Sequence, residues 1–132
     1  MIVVDTSALL AILFNEPEKQ TFEDVITGDE RCVMSAFNGH EAACVVRGRL
    51  GQPYVTQLWT TLTNAEIEVV PFDIVQMRAA AAAFDRYGKG IDPNARLNMA
   101  DCAAYALATT MNAPLLFKGN DFNQTDVRVW RP

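Results

Sequence analysis

The sequence predicts an α/β domain of three layers, with helices on both faces of a central parallel sheet of four to five strands. Ile2-Val3-Val4, Cys32-Val33-Met34 and Leu115-Leu116-Phe117 are short, unbroken apolar runs, the pattern of strands covered on both faces. Longer stretches with helical spacing and capping residues lie between them, and strands that alternate with helices build a parallel sheet. With 132 residues, half of them hydrophobic and a fifth charged, the chain reads as one domain over residues 1–132. A domain of that size buries about two-thirds of the surface of its unfolded chain. No repeat, low-complexity tract or linker interrupts it.

Taken in order, Ile2–Val4 is the first strand, and the Leu/Ala/Ile run from Ser7 to Phe14 a helix stopped by Asn15-Glu16-Pro17. Pro17 opens a second helix to Ile26 whose charges form a solvated face, and Thr27-Gly28-Asp29-Glu30 is a turn before the strand at Cys32–Met34. Ser35 caps a helix running to Leu50 and closed by Gly51. Pro53 to Asn64 is the next, with Val55, Leu58, Trp59 and Leu62 at helical spacing, so that Trp59 belongs to core or interface. Ile67 to Phe72 reads as a strand, Asp73 caps an alanine-rich helix to Phe84, and Tyr87 to Asn94 is a loop. That loop is either a surface connection or, through its glycines and flanking cations, a phosphate contact. Asn98 caps a further helix ended by Asn112-Ala113-Pro114, Leu115–Phe117 is the fourth strand, and alternating Val127-Arg128-Val129-Trp130 a fifth.

Composition narrows the function. Cys32, Cys44 and Cys102 are odd in number and widely spaced, as in a reducing cytosol rather than a disulfide or zinc framework. No stretch approaches the roughly 20 apolar residues of a membrane span, and the apolar start lacks a basic leader, so a cytoplasmic location is expected. The net charge of −5 opposes simple electrostatic binding of nucleic acid. Its distribution is uneven, however. Glu16, Glu18, Glu23, Asp24, Asp29 and Glu30 crowd one early segment, while Arg86, Lys89 and Arg96 gather around glycines.

Four acids stand where chemistry is done. Asp5 ends the first strand, at the edge where open α/β sheets keep their ligand crevices, although Asp5, Thr6 or Ser7 also suits a helix cap. Glu41 shares a helical face with Phe37, Asn38, Cys44 and Val45, where a carboxylate needs a metal or an ion-pair partner. Asp101, three residues after Asn98, is explained by a capping box, yet it sits on one face with Leu97, Ala104, Tyr105 and Ala108. Asp121 follows the fourth strand. In a parallel sheet these positions converge on one rim, and a hard divalent cation, Mg²⁺ or Mn²⁺, is the ordinary way to keep several carboxylates ionised together. His40, the one histidine, neighbours Glu41 and so points elsewhere, which excludes a histidine-based triad. An acidic, histidine-free metal cluster suits phosphodiester hydrolysis.

Val3-Val4-Asp5-Thr6-Ser7-Ala8-Leu9, the spacing from Met34-Ser35 to Glu41, Leu97-Asn98-Met99-Ala100-Asp101-Cys102 with Tyr105-Ala106-Leu107-Ala108, and Pro114 through Phe122 to Thr125-Asp126 together resemble a PIN domain, and within it the VapC toxins of bacterial toxin–antitoxin pairs. The resemblance spans essentially the whole chain. It implies a PIN-like fold and a Mg²⁺-dependent endoribonuclease that inhibits translation by cutting RNA, tRNA or rRNA being natural targets. It also implies a VapB-type antitoxin as inhibitor, homodimers, and larger assemblies with the antitoxin. Asp5 and Asp101 match the family's principal metal positions and Glu41 its third acid. The family often has an acid directly after the Gly119 equivalent. Here that residue is Asn120, so the fourth role passes to Asp121, with Asn120 as the other donor. Thr6, Asn98 and Asn120 are supporting candidates around the acids. An antitoxin arginine reaching the carboxylates is expected. Two other readings remain: an acidic Mg²⁺-binding phosphoacceptor module, for which Lys118 is the one suggestive residue, and an inactive PIN-like scaffold.

Overall fold

The computed structural model describes all 132 residues. Four strands, β1 (Ile2–Val4), β2 (Cys32–Ser35), β3 (Glu68–Val70) and β4 (Leu115–Leu116), form one sheet in the order β3-β2-β1-β4 with every pair parallel. Six helices connect them: α1 (Thr6–Leu13), α2 (Lys19–Ile26), α3 (Ala36–Leu50), α4 (Gln52–Asn64), α5 (Ile74–Tyr87) and α6 (Met99–Thr110). No helix is long and apolar enough to cross a membrane.

The period-two alternation of strand side chains sorts the core into two slabs. Ile2, Val4, Cys32, Met34 and Leu116 face the side covered by α1 to α4, meeting Leu9, Phe22, Ala42 and Leu58. Val3, Val33 and Leu115 face the other side, against Ala83, Tyr87, Ala104 and Leu107 of α5 and α6. The register pairs Val3 with both Val33 and Leu115, so β1 is sealed between neighbours and covered on both faces. That explains the unbroken apolar run at the start of the sequence.

Strand order decides where a ligand fits. The chain steps outward from β1 to β2 to β3, then crosses back over the other face through α5 and α6 to place β4 on the far side of β1. The reversal falls between β1 and β4, and beyond the carboxyl ends of two such strands the departing loops leave a crevice.

The fifth strand predicted at Val127–Trp130 does not form. The segment makes a single parallel bridge, Leu115 to Val129, with Leu115 N–H donating to Arg128 O and Trp130 N–H to Leu115 O at 2.8 and 2.9 Å. β4 is only two residues long and offers no ladder to extend. The alternation is also incomplete, since Val127 is buried while Val129 and Trp130 are half-buried. Smaller departures have local causes. β3 stops at Val70 because Pro71 has no N–H to give, α2 starts at Lys19 rather than Pro17, and α5 runs on to Tyr87. Trp59 is 47% exposed on α4, which removes the core alternative and leaves that of an interface, while Leu58 and Leu62 point inward.

At the end of α5 the chain turns so tightly that Gly88 touches the preceding helical turn. A Cβ there would lie 2.5 Å from the Phe84 carbonyl oxygen and 2.6 Å from its ring. Gly88→Ala is therefore expected to lower unfolding stability by about 1–3 kcal/mol, measured as a reduced urea midpoint at unchanged slope. An unaltered midpoint would show that the turn relaxes freely.

Candidate active site

Asp5 leaves β1 as the N-cap of α1. Its Oδ2 accepts from the Ser7 N–H at 3.0 Å and the Ser7 hydroxyl at 2.6 Å, while Oδ1 has no hydrogen-bond partner in the chain. Ser7 Oγ also accepts from the Lys118 backbone N–H at 2.9 Å. One hydroxyl thus ties the acid at the end of β1 to the loop leaving β4, which carries Asn120 and Asp121. Asp101 behaves in the same way. It forms a capping box with Asn98, its Oδ2 accepting the Asn98 N–H at 3.0 Å while the Asn98 amide oxygen accepts the Asp101 N–H at 2.8 Å. Capping uses one carboxylate oxygen in each case and leaves the second without a protein partner.

The two helices are drawn to the same rim through a residue that sequence reasoning left out. Asn38 is wholly buried on α3, one turn before Glu41. Its side-chain amide nitrogen donates to the Ala100 carbonyl at 2.9 Å, next to Asp101, and its main-chain carbonyl accepts from the Thr6 hydroxyl at 3.1 Å, next to Asp5. Asn38 Oδ1 is buried with no partner. The available signal was a fully polar amide on the same apolar face as Glu41, which only a specific bond justifies. Ser7 was likewise considered only as a cap. Of Thr6, Asn98 and Asn120, Thr6 bonds α1 to the Asn38 carbonyl, Asn98 caps α6 beside Asp101, and Asn120 bonds to Asn123.

Glu41 and Asp121 act electrostatically on both Asp5 and Asp101. Asp5 is 5% exposed, and burial first, then repulsion from Glu41 and Asp121, pushes its carboxyl up to about 6 against the lowering effect of Ser7. Burial pushes Asp101 up to about 7, opposed by the Asn98 N–H and reinforced by Asp5, Asp121 and Glu41. Glu41 is half-buried and Asp121 exposed. No three acidic, histidine or cysteine side chains close around one point tightly enough to enclose an ion as they stand. The side-chain donors that the four acids offer are nevertheless all oxygens, the set that a hard divalent cation takes.

Asp101, Asp121, Asn98 and Asn120 line an open cavity of about 390 Å³ that Lys89 and Arg96 also line. Asp5 and Glu41 do not line it. The Asn120 amide oxygen accepts from the Asn123 side chain at 3.0 Å, whereas Asp121 makes no side-chain hydrogen bond, which favours Asp121 as the fourth acid. Asp126 is committed elsewhere, receiving the Tyr105 hydroxyl and pairing with Arg86 at 3.4 Å. Lys118 pairs with Glu16 and Glu18, so it does not serve as the free lysine a phosphoacceptor aspartate would need.

A family model described as the PIN domain matches residues 2–128. Ribonuclease VapC30 of Mycobacterium tuberculosis is 42% identical over 125 residues, 95% of each chain. The chain belongs to the VapC ribonucleases of the PIN-domain family. Its fold is shared by solved structures at much lower identity. VapC20 of Mycobacterium tuberculosis, described as a toxin that cleaves the sarcin–ricin loop, superposes with a TM-score of 0.80 at 15% identity, covering 100% of both chains. A chain of VapBC2 from Rickettsia felis, solved bound to a fragment of its promoter DNA, gives 0.73 at 12% identity over 99% of this chain and 98% of that one.

The raised carboxylates of this VapC-family chain set the sign of its pH dependence in chelating buffer. Unfolded aspartates titrate near ~3.9, and Asp5 and Asp101 in the fold at about 6 and about 7. Between those values the folded state holds more protons, so stability falls as pH rises. Asp101→Asn keeps an amide oxygen for the Asn98 N–H and removes the charge. It is expected to raise the neutral-pH Tm by about 2–6 °C and to flatten that slope, whereas a Tm at or below the parent's would contradict the account.

Proposed function

We propose that the chain is a metal-dependent endoribonuclease, the toxin of a VapBC-type pair, which inhibits translation by hydrolysing RNA phosphodiester bonds. The reading is supported above all by the gathering of Asp5, Glu41, Asp101 and Asp121 from four separate segments onto one rim, where they repel one another. Perturbed carboxylates clustered at a sheet rim are a common mark of a functional site, and the VapC relatives carry the ribonuclease name.

In this reading the four acids hold Mg²⁺, with Mn²⁺ as a substitute. When bound, such a cation neutralises phosphate charge and lowers the pKa of a coordinated water. The chain's own part is positional. Ser7 and Asn98 each fix one oxygen of their aspartate, leaving the other for the ligand, and Asn38 with Thr6 sets the distance between α1, α3 and the start of α6. Asp5→Asn is expected to reduce cleavage of cellular RNA by roughly a hundredfold or more while leaving the circular-dichroism spectrum unchanged, and a chelator should do the same to the parent. Cleavage by Asp5→Asn at the parent rate in magnesium would remove the assignment.

The partner that follows is a VapB-like antitoxin, with the toxin a homodimer and the complex a heterotetramer or larger. An uncompensated acidic rim is the natural seat for a cationic side chain, and arginine, with its planar fork, pairs best with carboxylates. Neutralising the antitoxin arginine that reaches the rim is expected to weaken the complex roughly tenfold or more by calorimetry. Unchanged affinity after neutralising every basic residue of its inhibitory segment would exclude this mode.

A further inference from the structure

Beyond the acids, the loop between α5 and α6 presents two cations for which the fold provides no partner. Lys89 and Arg96 make no salt bridge and no side-chain hydrogen bond, although both line the cavity that Asp101 and Asp121 line. They also line a second open cavity, of about 490 Å³, whose remaining walls are Gly90, Ile91, Asp92 and Pro93. The pair therefore stands as a ridge between the acidic cavity and a neighbouring one.

The ridge is held by backbone rather than left to chance. Gly88 and Leu97 form a parallel bridge, the Lys89 N–H donates to Leu97 O at 2.9 Å, and the Leu97 N–H to Tyr87 O at 2.8 Å, which closes the loop at its base. Asp92 Oδ1 accepts the Asn94 and Ala95 N–H groups at 2.7 and 3.3 Å. Arg96 has φ of 56°, in the left-handed region that non-glycine residues enter only when the surroundings impose it. Lys89 begins the loop and Arg96 ends it, and the closed base brings these two ends together.

A chain of net charge −5 that acts on a polyanion needs its cations where the strand runs. We propose that Lys89 and Arg96 bind the RNA backbone at a phosphate flanking the cleaved bond, and that the cavity beyond them, walled by Ile91 and Pro93, receives the adjoining nucleotide. The proposal rests on the ribonuclease reading for its substrate but not for its geometry. Acids on one side of the groove and cations on the other give a strand its register: the phosphate to be cut lies against the carboxylates and their ion, the next against the ridge. These residues thus act on strand placement, not on the reacting atoms.

The test uses the full chain with a pool of labelled single-stranded RNA oligomers, in calcium for binding and in magnesium for cleavage. Relative to the parent, the double variant Lys89→Gln/Arg96→Gln is expected to bind roughly tenfold more weakly. Its dependence of log Kd on log salt should be shallower by about 0.7, one phosphate contact on a single strand. In cleavage KM rises while kcat is nearly kept, and Lys89→Arg/Arg96→Lys, which preserves charge, restores binding. Lys19→Gln, on α2, changes neither quantity. A parent that cuts RNA while the double variant binds with the parent's Kd and salt slope would overturn the proposal and leave the nuclease reading intact. RNA binding that depends on the two cations in a parent that does not cut would uphold the ridge and overturn the nuclease reading. A parent that neither binds nor cuts would overturn both.

Discussion

Like charges held together at the edge of a buried strand are the constraint to which the rest of this molecule answers. Asp5 is almost wholly buried at the end of the central strand and within reach of Glu41 and Asp121, and Asp101 feels all three other acids. Desolvation and repulsion both disfavour the charged forms. A fold that places carboxylates there must hold them by other means, and it does so with short polar bonds between segments distant in sequence. Ser7 joins β1 to the loop after β4, Thr6 joins α1 to α3, and Asn38 joins α3 to the start of α6. Each bond lies within one or two residues of an acid on at least one side, so the network that opposes the repulsion also sets its geometry.

Sheet topology is what makes the network short. Because β4 pairs with β1 on the side opposite β2, the segments leaving both strands border one crevice, while α3 enters from the adjacent strand and α6 starts above the same rim. A parallel sheet whose order did not reverse at β1 would send Asp121 to an edge several strands away. The apolar slabs on either face carry the stability that the rim does not contribute. Ile2, Val3 and Val4 are buried to within 2% of complete. The strand that ends in the most deeply buried of the four acids is itself anchored by burial along its whole length.

Much of this was legible in the order of residues, and the limits are physical. Asp5 and Asp101 could be read because each stands at a strand–helix or loop–helix junction, where capping chemistry and site chemistry leave the same mark. The sequence posed cap and ligand as alternatives. In the structure capping takes one oxygen of each carboxylate and leaves the other without a protein partner, so a cap does not use up the acid. Glu41 was singled out by its apolar helical neighbours, and its electrostatic reach to Asp5 and Asp101 comes from the fold. Asn38 was not read, because its partner, the Ala100 carbonyl, lies 62 positions away and backbone acceptors carry no signature in sequence. The fifth strand failed for a related reason. Val127–Trp130 has a strand's alternation, but a strand also needs a partner, and two-residue β4 supplies one bridge. Trp59 followed the helical spacing of Leu58 and Leu62 yet faces solvent, since spacing locates a stripe and not its width.

Net charge misled in an instructive way. Summed over the chain it is negative, which on its own argues against a nucleic-acid partner. Yet the acids do two different jobs. Glu16 and Glu18 flank Lys118 beside the rim, Glu68 pairs with Arg31 at the edge of the sheet, and Asp126 holds Arg86, so acids and cations alike are withdrawn into local pairs. Lys89 and Arg96 escape that pairing even though carboxylates line the same cavity. The field a strand meets is set by such uncompensated groups within about a Debye length, not by the total. Along this groove those groups change sign from the acids to the loop, which is the order a phosphodiester chain and its cations together require.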